Sequence, residues 1–245
     1  MNDTEMRVQK FISEAGIMSR RAAEKAILAG EITVNGNPAE LGTKITVGKD
    51  IVKYRGKVVK AIDNNVYIIL NKPVGYLTSM SDDRGRKCVS ELVKNVGVRV
   101  YPAGRLDYES EGLLLFSNDG ELVNRLTHPK HKLAKYYHVT VNAVLTDDQR
   151  KKLSSPMVID GYEIRPVRHR VIKSENGQMI LEMQLFEGRN RQIRKMCEKI
   201  GVEVIKLRRV AIGDIRLGGL ESGKWRHLSR EQVKYLKSKL KMIQI

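Results

Sequence analysis

One carboxylate in the sequence lies where an enzyme could use it. Asp107 falls in a turn between Gly104 and Gly112, directly before the apolar run Leu113–Phe116, and Arg105 precedes it by two residues. The glycines give this turn backbone freedom, and a carboxylate beside a buried strand can serve as a nucleophile or a general base. An aspartate in such a turn also often caps it. Asp107 alone therefore does not decide between chemistry and structure.

Three other segments bear on this turn. They are Asn-Lys-Pro-Val-Gly at 71–75, Lys-Tyr-Tyr-His-Val at 135–139 and Glu-Gly-Arg-Asn-Arg-Gln-Ile-Arg-Lys-Met at 187–196. Together with residues 104–120, in this order and at these spacings, they resemble the RsuA/RluB family of ribosomal RNA pseudouridine synthases. The resemblance extends over nearly the whole chain. Because four separated segments agree, it is more specific than one short motif.

The resemblance implies a role for three side chains. Asp107 would be the catalytic carboxylate, which either attacks the anomeric carbon of the ribose or starts a route through a glycal; both routes stay open. Arg194 would pair with Asp107, because a nearby positive charge lowers the pKa of a carboxylate and keeps it ionised. Tyr137 would stack on the uracil or transfer a proton. No redox step, metal or other cofactor is expected for this reaction.

The resemblance also implies a set of basic residues that contact RNA. They are Arg7, Lys10, Arg20, Arg21, Lys25, Arg105, Arg189 and Arg191. Arg105 is expected to fill or flank the gap left by a flipped nucleotide, although a salt bridge that holds the turn is the alternative. Lys72 belongs to the matching segments without an assigned role, since a phosphate contact and packing at a strand end both fit.

The elements that position these residues follow from local patterns. The short apolar run Val66–Leu70 predicts a central strand that Pro73 ends. Lys135–Ala143 alternates, so that Tyr137 shares the apolar side of a strand. Strands are also expected over 163–171 and 178–186, joined by a turn at Asn176-Gly177. Asn190 is expected to cap a helix that ends at Gly201, with an apolar stripe formed by Ile193, Met196, Cys197 and Ile200.

The N-terminal region has a different pattern. Ser19 is a plausible N-cap for a helix that Gly30 ends, and Asn35-Gly36 indicates a tight turn after a short strand. This arrangement resembles the alpha-L RNA-binding module first described in a small-subunit ribosomal protein. Its basic residues would contact phosphates and so add affinity without reading sequence. For each of them, a solvated surface charge is the alternative.

Composition sets limits on the partner. The 245 residues include 45 Lys and Arg against 28 Asp and Glu, a formal net charge of +17, which favours a polyanion. No apolar run reaches the roughly 18 residues of a membrane-spanning helix, and the polar start is unlike a signal peptide. The two cysteines, Cys88 and Cys197, lie far apart, which fits a reducing cytoplasm. The spacing of histidines and cysteines does not indicate a metal site.

These observations predict an α+β protein. An alpha-L domain at 1–60, with its core at 6–56, is followed by a linker at 57–65. A catalytic domain then spans 66–245, with a mixed, mostly antiparallel sheet flanked by helices. The expected function is isomerisation of a uridine in ribosomal RNA to pseudouridine. Large-subunit RNA is favoured over small-subunit RNA as the substrate. The substrate would be ribosomal RNA or a pre-ribosomal particle, and the protein a cytoplasmic monomer.

Two other functions are compatible with a basic RNA-binding protein. A non-catalytic ribosome-assembly factor would use the same surfaces, but binding alone does not require Asp107, Tyr137 and Arg194 together. An RNA methyltransferase would need a glycine-rich cofactor loop after an early strand. The sequence has no such loop.

Overall fold

The computed structural model describes residues 5–62, 64–128, 130–131 and 133–242. The chain divides into two compact units. One comprises the residues up to Val66 together with Asn118–Gly120, and the other comprises Tyr67–Ser117 and the residues from Glu121 onward. In the described ranges, none of the helices has the length and apolar character that crossing a membrane requires.

The N-terminal unit is a small helical module with short strands. Its elements are β1 (Glu5–Arg7), α1 (Val8–Glu14), α2 (Arg20–Leu28), β2 (Ile32–Val34), β3 (Asn37–Pro38), β4 (Lys44–Thr46), β5 (Val52–Tyr54) and β6 (Lys57–Val58). β3, β2, β5 and β6 form a four-stranded sheet, and β1 pairs with β4. As predicted, the Ser19 side chain caps α2 by accepting from the Ala22 amide at 3.2 Å. Gly30 follows the helix with a φ of +72°.

The structure changes the start of the linker. Residues 57–65 were expected to connect the units, but Lys57–Val58 is a strand that pairs with β5. Val59 is buried at 7% exposure in the core of the N-terminal unit. The connecting segment therefore begins after Val59.

The second unit contains the remaining elements. They are β7 (Tyr67–Lys72), α3 (Val89–Leu92), a 3-10 turn (Lys94–Val96), β8 (Tyr101–Pro102), β9 (Glu111–Ser117), α4 (Gly120–Thr127), β10 (Lys135–Val141), α5 (Asp147–Leu153), β11 (Met157–Ile159), β12 (Tyr162–Ile164), β13 (Arg168–Glu175), β14 (Gln178–Leu185), α6 (Gln192–Lys199), β15 (Val204–Ile212), β16 (Ile215–Arg216), β17 (Trp225–His227) and α7 (Arg230–Lys239).

A nine-stranded sheet organises this unit. The order along it is β13-β14-β10-β15-β9-β7-β17, with β16 beside β15 and β8 beside β9. Among the described strands of this sheet, β15 and β9 pair in parallel, and the other pairs are antiparallel. The predicted α+β class, with a mixed and mostly antiparallel sheet, is confirmed.

The two sides of the sheet differ in their cover. Tyr137, Val139 and Val141 of β10 are buried, while the residues between them are partly exposed, as the alternation predicted. On the other side of the sheet, Leu113 and Leu115 of β9 belong to a buried apolar cluster. Leu122 of α4, together with Leu236 and Leu240 of α7, completes this cluster. Helices α4 and α7 therefore cover the β9 and β7 part of that side.

Two local predictions were wrong. The strand expected over 163–171 is interrupted, since β12 forms a separate hairpin with β11 while β13 joins the large sheet. Pro166 lies in the gap, where it has no amide hydrogen to donate to a ladder. The N-cap of α6 is Arg191 rather than Asn190; Arg191 has a φ of +50° and makes no side-chain cap.

Gly112 marks the closest approach of β9 to β15. It has a φ of +105°, and a Cβ there would lie 2.2 Å from the Arg209 carbonyl oxygen. Gly112→Ala is expected to lower the free energy of unfolding by about 3 kcal/mol or more, through both the φ and the clash. Urea unfolding followed by the fluorescence of Trp225, the single tryptophan, measures this change.

Gly161→Ala is the matched control. Gly161 has a φ of +74° with no atom within 4 Å of an added Cβ. The free energy of unfolding of this variant is expected to fall by only about 1 kcal/mol, because alanine is strained in the left-handed conformation. Equal losses in the two variants would contradict the close approach at Gly112.

Candidate active site

The turn that carries Asp107 is held by a buried ammonium group. The Nζ atom of Lys72 donates to the carbonyl oxygens of Pro73 (3.0 Å), Asp107 (3.1 Å) and Ser110 (2.8 Å). Lys72 is fully buried, at 0% exposure. An ammonium has three N–H donors, so each one finds an acceptor. Of the two roles left open for Lys72, packing at the strand end is the one the structure shows, since a buried Nζ cannot reach a phosphate.

Burial also changes the protonation equilibrium of Lys72. Removal from water lowers its pKa from 10.5 to about 8, and the negative charges of Asp107 and Glu111 oppose this shift. The amine therefore stays mostly protonated at pH 7 and keeps its three donors.

Further backbone bonds hold the same turn. The Gly75 amide donates to the Tyr108 carbonyl at 2.9 Å. The Thr78 hydroxyl donates to the Leu106 carbonyl at 2.6 Å, and the Leu106 amide lies 3.2 Å from the same hydroxyl oxygen. Within the described residues, the carboxylate of Asp107 makes no ion pair or hydrogen bond, so it is available to a ligand.

Arg209 of β15 fixes the strand that leaves this turn. Its Nε donates to the Leu113 carbonyl at 2.7 Å, and the residue is 3% exposed. Arg209 is also the β15 neighbour of Tyr137 in the sheet register. The strand after Asp107 and the strand that carries Tyr137 are therefore both tied to β15.

Asp107 and Tyr137 line one cavity of about 300 Å³. This volume is at the lower end of the usual range for ligand cavities. Leu185, Ile193 and Leu207 supply apolar walls to the same cavity. Tyr137 is 8% exposed. A flat group such as a nucleobase fits between an aromatic ring and apolar walls, within reach of a carboxylate.

Polar groups complete the lining. Ser110 lines the cavity, and its hydroxyl oxygen is buried without a hydrogen-bond partner in the described part of the chain. Arg105, Arg189 and Arg191 also line it, and all are exposed. The guanidinium of Arg189 lies 3.1 Å from the centre of the Tyr162 ring. The cavity thus combines an apolar interior with a basic rim.

Arg194 does not occupy its expected place. Its Nη1 donates to the Val204 carbonyl at 2.9 Å and its Nη2 to the Glu109 carbonyl at 3.2 Å. It lines a neighbouring cavity of about 790 Å³ instead. In the described chain Arg194 forms no pair with Asp107; its two terminal nitrogen atoms donate to main-chain oxygens. It contacts the turn two residues beyond Asp107.

Glu109 links this turn to the start of α6. Its carboxylate lies 3.0 Å from Arg191 Nη1 and 3.9 Å from Arg194 Nε. These two guanidinium groups, Arg191 first, hold the pKa of Glu109 below its usual value. Arg191 lines both cavities. The pairing therefore forms part of the boundary between them.

The RNA-contacting residues predicted in the N-terminal unit are accessible. Arg7, Arg20, Arg21 and Lys25 are exposed, and Lys10 is partly exposed. Lys10 and Arg20 lie 3.7 Å and 3.8 Å from the Glu14 carboxylate. Their contacts with phosphate stay a prediction.

Comparison with known proteins assigns the chain to a family. The RNA pseudouridylate synthase family model matches residues 66–199, and the S4 domain model matches residues 6–51. The chain belongs to the RNA pseudouridine synthase family. It is an isomerase that acts on RNA.

Individual relatives agree with this assignment. An uncharacterized RNA pseudouridine synthase of Aquifex aeolicus is 42% identical over 95% of this chain and 94% of its own length. The ribosomal large subunit pseudouridine synthase B of Bacillus subtilis is 40% identical, over 95% and 96%. A crystal structure of a pseudouridylate synthase matches with a TM-score of 0.68 and 27% identity, over 94% of this chain and 99% of that one.

Sequence reasoning left the role of Lys72 open and did not single out Glu109 and Arg209, although all three hold the elements around the synthase cavity. A lysine between a buried strand and a proline was a usable signal for Lys72, because its stem must pass through the core. Glu109 and Arg209 had no such signal. Their partners lie 82 to 96 residues away in the chain.

Lys72→Met tests the role of the buried ammonium. Three carbonyl oxygens would lose their donor, and buried unsatisfied groups cost about 1–3 kcal/mol each. The free energy of unfolding is expected to fall by about 3 kcal/mol or more, and turnover to fall with it. Urea unfolding and an activity assay measure the two effects. Lys94→Met, at an exposed site, is the control; equal stability of the two variants would refute the role.

Lys135 gives a pH-dependent prediction. Burial, followed by the charge of Arg209, lowers its pKa from 10.5 to about 8. Between these values the unfolded chain binds more protons than the folded one, so this group makes unfolding free energy rise with pH. Lys135→Met is therefore expected to be more stable than wild type at pH 7, with a difference that shrinks between about pH 8 and 10.5. Urea titrations across this pH range measure the difference in unfolding free energy between the variant and wild type. A difference that grows with pH would contradict the burial of the Lys135 charge.

Proposed function

We propose that this synthase converts a uridine of large-subunit ribosomal RNA into pseudouridine, with Asp107 as the catalytic carboxylate. The main support is that an unpaired carboxylate and Tyr137 line one cavity with apolar walls. The named substrate of the Bacillus subtilis relative supports the large subunit as the target. We further propose that it acts on this RNA in the cytoplasm, as a monomer.

The reaction exchanges one bond for another within a nucleotide. The bond between the ribose C1′ and uracil N1 breaks, the uracil turns, and a bond forms between C1′ and C5, from which a proton is lost. Asp107 starts this sequence by attacking C1′ or by removing a ribose proton on the glycal route. Both routes need an ionised carboxylate at the sugar. Neither needs a metal or another cofactor.

The other residues position the nucleotide. Tyr137 stacks on the uracil, so that the detached base stays in the cavity while it turns, or transfers the proton. Arg105, Arg189 and Arg191 contact the phosphates around the flipped nucleotide at the basic rim. Arg194 acts on the turn through the Glu109 carbonyl rather than through Asp107 itself.

The N-terminal S4 domain adds affinity for the same RNA. Its exposed basic residues neutralise phosphates without reading bases, which raises affinity and fixes orientation. The net charge of +17 is consistent with such a partner. A non-catalytic assembly factor would have the same surface, but it would not need a carboxylate and a tyrosine in one cavity.

Asp107→Asn is the direct test. It keeps the side-chain shape while removing the negative charge. On in vitro transcribed large-subunit RNA, pseudouridine formation is expected to fall by at least about 10³-fold, with RNA affinity within about twofold of wild type. Chemical mapping of pseudouridine and a filter-binding assay measure these quantities.

Asp83→Asn is the control at an exposed aspartate of the same unit. It is expected to retain full activity. If Asp107→Asn forms pseudouridine as fast as Asp83→Asn, Asp107 is not the catalytic carboxylate. If wild type forms none in large-subunit RNA but does so in small-subunit RNA, the proposed substrate is wrong.

A further inference from the structure

Part of the sheet is left uncovered on the side opposite Tyr137. Helices α4 and α7 pack over Leu113 and Leu115 of β9 on this side. Glu111 points the same way, because alternate residues of a strand share a side. From Glu111 toward β13, the charged and polar side chains on this side are partly or fully exposed. We call this region, formed by β15, β10, β14 and β13, the open face.

A row of charged side chains crosses the open face. In the sheet register, Arg170 of β13 pairs with Glu182 of β14, which pairs with His138 of β10. His138 pairs with Arg208 of β15, which pairs with Glu111 of β9. Five adjacent strands thus each contribute one polar residue. Side-chain contacts join this row in two groups: Arg170 and His138 lie 2.7 Å and 3.6 Å from Glu182, and Arg208 lies 3.7 Å from Glu111.

Positive charge predominates around this row. Arg168, Lys206 and Arg216 flank it, and all three are exposed. The acids that face them are Glu182, Asp214 and the mostly buried Glu111. The row also forms one wall of a groove of about 460 Å³ that Arg216 and Tyr136 line. Five guanidinium and ammonium groups against three carboxylates give the open face a net positive charge before His138 is counted.

This pattern favours phosphates as the ligand. A protein–protein interface is depleted of charge at its core, whereas the open face has charged residues at its centre. Arg170 and Arg208 are three strand spacings apart, about 14 Å, which separates them enough to contact different phosphates of one strand.

We propose that the open face is a further RNA-binding surface, which holds backbone phosphates of a segment outside the target uridine. The proposal rests on the proposed function, because it takes the substrate RNA as the partner. Tyr137 and His138 are consecutive on β10 and point to opposite sides of the sheet. The RNA reaches the open face around β13, the edge strand, which is exposed along nearly all of its length.

Paired variants test this surface. Arg170→Gln with Arg216→Gln removes two positive charges from the open face. Lys151→Gln with Lys152→Gln removes two from the exposed side of α5 and is the matched control. With a large-subunit RNA fragment at about 0.1 M salt, the first pair is expected to bind about tenfold more weakly than the control, and its log-affinity slope against log salt to be less steep by about 1.5. KM should rise to the same extent while kcat stays unchanged, since both residues lie away from the Asp107 cavity.

A third variant has the opposite expected sign. Glu182→Gln removes a negative charge from the row and frees Arg170, so RNA should bind about two- to fivefold more tightly than to wild type. A misfolded protein cannot explain tighter binding, and Trp225 fluorescence confirms the fold of each variant. Equal binding by the two charge-loss pairs, or weaker binding by Glu182→Gln, would overturn the proposal.

The test also separates this proposal from the proposed function. If wild type binds the RNA without forming pseudouridine, the proposed function is wrong. The RNA affinities of the two charge-loss pairs still test whether the open face binds RNA. If wild type is active and the two charge-loss pairs have the same KM, the open face fails alone.

Discussion

The catalytic unit depends on one buried ammonium group. Lys72 ends a strand inside the core, and its three donors bind three carbonyl oxygens around the Asp107 turn. An apolar side chain would leave these oxygens without their donor, which costs free energy where they are buried. The position of Asp107 is therefore fixed through its backbone rather than through its carboxylate. This leaves the charged oxygens free to meet a substrate.

The same principle applies to the other cations near the cavity. Arg194 and Arg209 donate to main-chain carbonyls at Glu109, Val204 and Leu113. These carbonyl contacts hold the two guanidinium groups in place without using the carboxylate of Asp107. The site thus has a positive field around an unpaired aspartate, without an ion pair that a substrate would have to break. Glu109 is the exception, as its carboxylate contacts Arg191 at the cavity rim.

Local patterns predicted much of this arrangement. Alternation along β10 indicated that Tyr137 faces the interior, and capping residues located α2. The resemblance identified Asp107, which does share a cavity with Tyr137. The contacts of Arg194 were not predictable, because they depend on where the Glu109 and Val204 carbonyls meet α6 in space. The interrupted strand at Pro166 was readable in principle: a proline without an amide hydrogen argues against a continuous strand.

The sheet order has a consequence for synthesis of the chain. The bonds of Lys72 to Asp107 and Ser110 join residues 35 and 38 positions apart, whereas Arg209 reaches Leu113 across 96 positions. Domains made first on the ribosome generally fold first. A nascent chain that stops before Val204 lacks β15, the strand between β9 and β10. It also lacks Leu207, which lines the cavity, so the cavity is incomplete. The N-terminal module is complete by then, so a growing chain can fold this module before the catalytic cavity exists.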